Sequence, residues 1–320
     1  MTPGLIQRHH DYVLGPNQDA RLASVAAGQQ IIGLSLGLDS DAPFVLRSRA
    51  MRVKYNDLSE GDRLQYGLGS LLARWAGPER DYRAQTVVRQ SLYAPYFGQL
   101  GNPIPVYPEV VYPKSGTITV DVKNDGAVAL TNLTFYFRGV KLFAPGAVRS
   151  YQYPAQFGLL PFVYPLGTFS ATDNLTKIRS VAVTQGVLRQ TFLCKADADF
   201  VFRAGQSDLV ASDALHSTPV NEVFITMRDE DEKPYSNDAV HLDVLWGNSG
   251  MPATYLPIGA PGALAPVGGG PNSPGLVYPE IYIPKNHLMY FDFTRADVAY
   301  AGAAAVDLTV SLIGQKVFAK

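Results

Sequence analysis

Any chemistry this chain performs has to come from a short roster of side chains. The five histidines, His9, His10, His216, His241 and His287, are the candidate zinc ligands. Zinc needs two or three of them at helical or hairpin spacing, with Cys, Asp or Glu close by. His241 and Asp243 share one face of a predicted strand, and a strand face that carries polar residues to solvent explains them more simply than a metal does. Four carboxylates crowd into Asp229, Glu230, Asp231 and Glu232, between VFITMR and AVHLDVLW. A calcium loop spaces its oxygens at alternate positions, turns on a glycine and closes with a distal bidentate Glu. This run has neither the glycine nor the distal Glu, and Lys233 and Pro234 follow it, so it reads as a solvated hairpin turn.

Nucleophiles are equally scarce. Cys194 is the single cysteine, so it has no partner for a disulfide within the chain, and its setting of Thr191, Phe192 and Leu193 marks it as a small core residue. Gly268, Gly269 and Gly270 run into Pro271 and lack the Lys-Ser/Thr pair that a phosphate-binding loop requires. No Gly-x-Ser-x-Gly elbow occurs. A carboxylate pair for glycoside hydrolysis meets only in three dimensions and leaves no local spacing to find. The expectation is a chain that is not an enzyme, with no catalytic, cofactor-binding or metal residue assigned, no cofactor and no small-molecule substrate.

Bulk properties point the same way. Among 320 residues, 47% are hydrophobic and 17% charged, a globular balance. The 27 basic and 28 acidic side chains leave a net charge of −1, so no excess field attracts a phosphate backbone or an anionic membrane. Nucleic acid is not expected as the main partner. The N-terminus MTPGLIQRHHDY lacks a basic region followed by an apolar one, and no run of 18 apolar residues occurs, so neither export nor a membrane span is predicted.

The organising feature is an internal repeat. VYPEVVYPK recurs as VYPEIYIPK: Val106, Tyr107, Pro108, Glu109, Pro113 and Lys114 match Val277, Tyr278, Pro279, Glu280, Pro284 and Lys285. TITVDVK (Thr117 to Lys123) falls opposite LMYFDFT (Leu288 to Thr294) in the same register, with Asp121 opposite Asp292. Both alternate with the period of two of a half-buried strand, Ile118, Val120 and Val122 pointing in and Thr119, Asp121 and Lys123 pointing out. LTFYFRGVKLF (Leu133 to Phe143) pairs with LTVSLIGQKVF (Leu308 to Phe318), so that Gly139, Lys141 and Phe143 meet Gly314, Lys316 and Phe318. Upstream, DAPFVLR (Asp41 to Arg47) matches DADFVFR (Asp197 to Arg203), and Tyr82 to Leu92 match Tyr235 to Leu245 more loosely. A slip of one residue would turn every inward side chain outward, so shared phase argues for shared structure.

Short runs of Val, Ile, Phe, Tyr and Thr between Gly, Pro, Asn and Asp clusters predict an all-β chain. The one helical pattern is Asp62 to Trp75, with Leu64, Leu68, Leu71, Leu72 and Trp75 at helical spacing. An alternating strand buries one face, so each repeat needs a second sheet, and two packed antiparallel sheets form a sandwich. Long connections such as Asn56 to Asp81 and Gly247 to Gly275 suit jelly-roll crossovers. The expected organisation is an N-terminal arm over 1–30, a first jelly roll over 31–143, a connecting segment over 144–186 that includes an opening strand at Ser180 to Val183, and a second jelly roll over 187–320.

Taken together, a Pro-flanked turn, an alternating strand, a short turn and a closing Gly-x-Lys-x-Phe strand, present twice, resemble tandem (double) jelly-roll structural proteins of viruses, especially bacteriophages. The likeness covers both repeats. It implies a virion protein made in the host cytoplasm, either a capsid subunit or a capsid-associated vertex, neck or decoration protein, whose partners are copies of itself in a homo-oligomer and other virion proteins. Tyr- and Pro-rich loops, Leu92 to Glu109 and Tyr151 to Pro165, suit such interfaces because Tyr adds contact area and Pro lowers the ordering cost. The segment Tyr151 to Pro165, apolar for a connection, is expected to be covered either by the second copy of the repeat or by another subunit. Two other classes stay open at this stage: a module that binds a glycan or host surface through the 247–275 loop, and a carbohydrate-active enzyme on a β-sandwich.

Overall fold

The computed structural model describes residues 5–52, 71–79, 88–89, 104–126, 129–149, 151, 154–171, 174–182, 186–210, 223–245, 275–295 and 305–319. The chain divides into two compact units that meet in sequence between Val148 and Arg149. The fold is all-β and antiparallel. Among the described residues the helical content is a 3-10 turn at Ala20–Ala23 and one α-turn at Leu242–Leu245.

In the first unit the strands are β1 (Ile6–Leu14), β2 (Ser24–Val25), β3 (Gln30–Gly37), β4 (Phe44–Arg52), β5 (Leu71–Ala76), β6 (Val88–Arg89), β7 (Ile104–Tyr112), β8 (Thr117–Asn124), β9 (Leu130–Thr131) and β10 (Thr134–Phe143). One sheet has the order β1-β10-β4-β7 and the other β3-β8-β5-β6, while β2 and β9 form a small pair. Set that small pair aside and number the rest first to eighth along the chain. First pairs with eighth, second with seventh, third with sixth and fourth with fifth, all antiparallel. This is a long antiparallel ribbon folded over on itself, which is a jelly roll. Its core is apolar and closed, with Tyr12, Leu34, Phe44, Leu46, Ile118 and Val122 at most 4% exposed.

The second unit repeats the plan. Its strands are β11 (Phe157–Leu166), β12 (Thr168–Ser170), β13 (Leu175–Ala182), β14 (Leu188–Leu193), β15 (Asp199–Val210), β16 (Val223–Arg228), β17 (Val240–His241), β18 (Gly275–Ile283), β19 (Leu288–Arg295) and β20 (Ala305–Ala319). One sheet contains β11-β20-β15-β18 and the other runs β14-β19-β16-β17, so the nested pairing recurs as β11 with β20, β14 with β19, β15 with β18 and β16 with β17. The added β12–β13 hairpin lies along the start of β20, next to the stretch that β11 occupies.

Three expectations change. Residues 6–14, read as part of an arm, form the first strand of the first jelly roll, bonded along its length to β10. Residues 157–166, read as connection, form the first strand of the second jelly roll, bonded to β20 in the equivalent register: Tyr12 faces Phe137, and Tyr164 faces Leu312. The opening strand is therefore β11, and Ser180 lies in the added strand β13. At the end of the helical pattern, Leu71 to Ala76 form strand β5, in which Leu71, Ala73 and Trp75 are buried at alternate positions. The rest of that pattern, 62–70, lies outside the described residues, as do 78–87 apart from Pro78 and Glu79.

Gly139 and Gly314 show why the copies kept a glycine. Each sits at a bulge where the last strand crosses the third. A Cβ at Gly139 would strike the Val45 carbonyl oxygen and the Phe44 ring, and one at Gly314 the Val201 carbonyl oxygen and the Phe200 ring. Phe44 and Phe200 are both fully buried, so neither ring has room to move. Ser115 and Asn286, equivalent turn residues before β8 and β19, both take the left-handed conformation, with φ of 55° and 65°.

Candidate functional site

Three ion pairs recur at equivalent places in the two jelly rolls. Arg47 Nε lies 2.8 Å from Glu109 Oε1, and Arg203 Nε lies 2.8 Å from Glu280 Oε1, each tying the third strand to the sixth. Lys141 Nζ lies 2.5 Å from Asp39 and 3.1 Å from Asp41, and Lys316 Nζ lies 2.5 Å from Asp197, the counterpart of Asp41. The third pair centres on the aspartate in the middle of the seventh strand. Asp121 is fully buried, and it accepts hydrogen bonds from Arg74 at 2.8 Å and from the Gly33 backbone N–H at 2.8 Å. Asp292 accepts from Arg189 at 2.7 and 3.0 Å and from Arg228 at 2.9 Å. Burial alone would raise the Asp292 pKa, but the bonds from Arg189 and Arg228 hold it below the ordinary carboxylate value. Both aspartates were expected to face solvent, and each lies instead beneath arginine side chains from neighbouring strands.

The described histidines are not brought together as a metal site. His9 Nε2 lies 3.1 Å from Asp11 Oδ2, and Arg138 Nε donates to Asp11 Oδ1 at 2.9 Å, all three side chains being buried. His10 points to the other face of β1, where its ring meets Tyr12 edge-on at 4.5 Å and its Nε2 lies 3.8 Å from Asp39. Burial, reinforced by the Lys141 charge, pushes the His10 pKa down to about 3. His241 does not face solvent as expected: it is 8% exposed and lies on the Phe224 ring with centroids 4.1 Å apart. Asp243 sits in the following α-turn, off the strand. His216 and the Gly268 to Gly270 run lie outside the described residues, as do residues 246–274 of the long loop. Among the described residues, no three His, Cys, Asp or Glu side chains are grouped to hold a metal ion.

The four-carboxylate run is the solvated hairpin turn expected, and its carboxylates are also paired. Glu232 takes a left-handed φ of 62°, and Asp229 accepts the Lys233 backbone N–H at 2.8 Å, closing the hairpin after β16. Glu230 bonds His287 Nδ1 and lies 3.2 Å from Arg149, Asp231 lies 3.2 Å from Arg149, and Glu232 lies 2.6 Å from Arg189. Tyr151 Oη, 3.4 Å from His287 Nδ1, completes this surface cluster. Cys194 is fully buried, its Sγ 3.4 Å from the Ala198 carbonyl oxygen, and burial pushes its pKa up to about 12.

What sequence reasoning missed is a difference between the two first strands. On β1 the outward residues His9, Asp11 and Val13 are buried, as are their partners on β10, Val140, Arg138 and Tyr136. On β11 the outward residues Leu159, Pro161, Val163 and Pro165 are exposed, Leu159 at 45% and Val163 at 51%. Of their partners on β20, Val317 is buried and Gln315, Ile313 and Ser311 are half-buried. The signal that could have aligned these strands was short: Tyr12, Leu14 and Gly15 against Tyr164, Leu166 and Gly167.

No protein-family model and no curated protein matches this chain. Solved structures with remote likeness include peptide N-glycanase F, at 8% identity and TM-score 0.22, covering 96% of both chains. A second is the tandem CBM22 domain pair of Paenibacillus barcinonensis Xyn10C, at 10% identity and TM-score 0.19, covering 100% of this chain and 94% of that one. A third is the T=1 Penaeus vannamei nodavirus, at 7% identity and TM-score 0.19, covering 99% and 98%. At such scores these likenesses carry neither a family nor a function to this chain, and the all-β sandwich rests on the strand pairing itself.

Proposed function

We propose that this chain is a virion structural protein, a tandem jelly-roll capsid or capsid-associated subunit of a bacteriophage, working through assembly with copies of itself and with other virion proteins. One observation carries the reading. The residues retained between the copies are the ones that hold each sandwich: Gly139 and Gly314 over buried rings, Lys141 and Lys316 on loop carboxylates, Asp121 and Asp292 beneath arginines, Arg47 and Arg203 on glutamates. Two copies that diverge widely yet keep the same ribbon have kept a shape. A subunit that occupies nearly equivalent positions in a shell needs two like shapes with different surfaces, which a tandem duplication supplies.

The test is electron microscopy of the purified full chain and of the particle produced with its genomic neighbours, with labelled antibody against this chain. Regular oligomers or shells bearing the label are expected. A monomer at every concentration, with no label on any particle, would overturn the reading.

A further inference from the structure

We infer that Arg149 and Tyr151 clasp the connection between the jelly rolls to the second one, forming a salt-sensitive strap that shortens the tether joining the two units. The inference concerns residues 144–156, between β10 and β11, and stands independently of the assembly reading.

Two hairpin turns of the second jelly roll receive the connection. From the turn after β16, Glu230 and Asp231 each lie 3.2 Å from the Arg149 guanidinium. From the turn before β19, His287 bonds Glu230 through Nδ1, meets the Tyr151 ring edge-on at 5.4 Å and lies 3.4 Å from its hydroxyl. The Tyr151 ring also stacks on Tyr282 of β18, with centroids 6.3 Å apart, and Tyr282 Oη donates to Asp199 at 2.5 Å. Before Arg149 the chain is already folded back in a turn: the Ala147 N–H donates to the Ala144 carbonyl oxygen at 3.1 Å, and Gly146 takes a φ of 83°.

The repeat shows that these contacts are particular to the copy that holds the connection. At the positions of His287, Tyr282 and Asp199 the first jelly roll has Gly116, Val111 and Pro43, which offer neither an aromatic ring nor a charge. Val111 is instead 55% exposed. The residues shared between the copies hold the sandwich, whereas these three differ where the connection lands. Each residue spans at most about 3.6 Å, so the closed clasp leaves a tether, 144–148, with a reach of about 18 Å, against about 47 Å for 144–156 when open. The paired side chains are between 33% and 54% exposed, so salt screens them, and they hold as a network where a single surface pair would not.

The experiment is limited trypsin digestion of the full chain, with cleavage between Arg149 and Ser150 followed by mass. Trypsin takes the Arg149 side chain only when Glu230 and Asp231 have released it, so the initial rate reports the open fraction. Wild type is compared with E230Q/D231N, with H287G, which installs the first copy's residue, and with E280Q, which removes an ion pair that the connection does not touch. Circular dichroism confirms the β spectrum of each. E230Q/D231N and H287G are expected to be cut at least fivefold faster than wild type, and E280Q at the wild-type rate. Raising salt to about 1 M, where the Debye length is about 3 Å, is expected to speed wild type toward the variants, with rates normalised to a small peptide substrate. If E230Q/D231N fails to fold, H287G carries the comparison. Equal rates for wild type and the folded clasp variants, or for wild type at low and high salt, would overturn the clasp. Equal acceleration by E280Q would overturn it too, as general loosening of the jelly roll.

Discussion

Lys316 reaches across the second jelly roll to place its ammonium 2.5 Å from Asp197 and 4.2 Å from the centre of the Phe162 ring, as Lys141 reaches Asp41 at 3.1 Å while lying 5.6 Å from the Tyr12 ring. The side chains of Lys316 and Lys141 are only 8% and 6% exposed. Their stems pack and their tips reach the loop carboxylates. Met at position 316 keeps the packing and frees a half-exposed Asp197 to water, so K316M is expected to cost about 1 kcal/mol or less. K316E places like charges together and is expected to cost more. Urea denaturation of both variants checks the order, and equal midpoints would contradict the geometry.

Asp121 sets a larger effect. It is fully buried and accepts from Arg74 and from the Gly33 N–H. Removing Arg74 leaves that buried carboxylate uncompensated, with a cost of about 3–5 kcal/mol. R74A is therefore expected to unfold the first jelly roll at much lower denaturant, whereas R228A should cost less because Arg189 still holds Asp292. Guanidinium titrations followed at Trp75, which lies in the first unit's core, and by circular dichroism, which also reports the second unit, separate these outcomes.

Much of this was legible in the sequence, and the reason lies in which residues are local. Ile118, Val120 and Val122 alternate within one strand, so their inward phase can be read directly. Gly139, Lys141 and Phe143 match their counterparts because each is constrained by its own fold, although the cause, a ring nearly a hundred residues earlier, cannot be read from spacing. Asp121 was assigned to solvent because Arg74 lies on a different strand. The first strands escaped notice because β1 and β11 differ most on their outward faces, where RHHDYVLG stands against LPFVYPLG. Trp75 fitted a helical pattern because Leu71, Leu72 and Trp75 satisfy helical spacing while Leu71, Ala73 and Trp75 satisfy a period of two, and only the pairing of β5 with β8 decides between them.

Glycine at positions 139 and 314 is expected to be irreplaceable. An added Cβ meets a backbone carbonyl and a buried ring at both sites, so G139A and G314A force the last strand off the third and should cost more than about 3 kcal/mol each. Gly37, by contrast, has open space where its Cβ would lie, and G37A should leave stability within about 1 kcal/mol. Soluble yield and thermal midpoint of the three variants check this; a well-folded G314A would mean the bulge is not as tight as described.

The lone thiol offers a simple probe of the second jelly roll. Cys194 is fully buried and its pKa is pushed up to about 12 by burial first, with Asp199 and Asp197 adding to it. The reactive thiolate is thus scarce at neutral pH. Native protein should react with an aromatic disulfide reagent only at the rate of unfolding, and one equivalent should react at once in denaturant. Fast reaction of the native chain would contradict the burial.

His10 gives the first jelly roll a dependence on pH whose sign can be worked out. Its folded pKa is about 3, against about 6.5 in the unfolded chain. Below about pH 6.5 the unfolded chain takes up a proton that the folded one refuses, so stability is full above that value and falls as pH drops toward 3, by up to about 1.4 kcal/mol per unit. Asp11 acts lower down. Although its burial alone would raise its pKa, Arg138 and His9 hold it below the ordinary carboxylate value, so its contribution is present above about pH 4 and lost beneath it. Replacing His10 by Phe removes the first of these slopes and leaves the second. Urea midpoints measured from pH 7.5 to 4.5 should therefore decline for wild type and decline less for H10F, and parallel declines would show that His10 is not the group responsible.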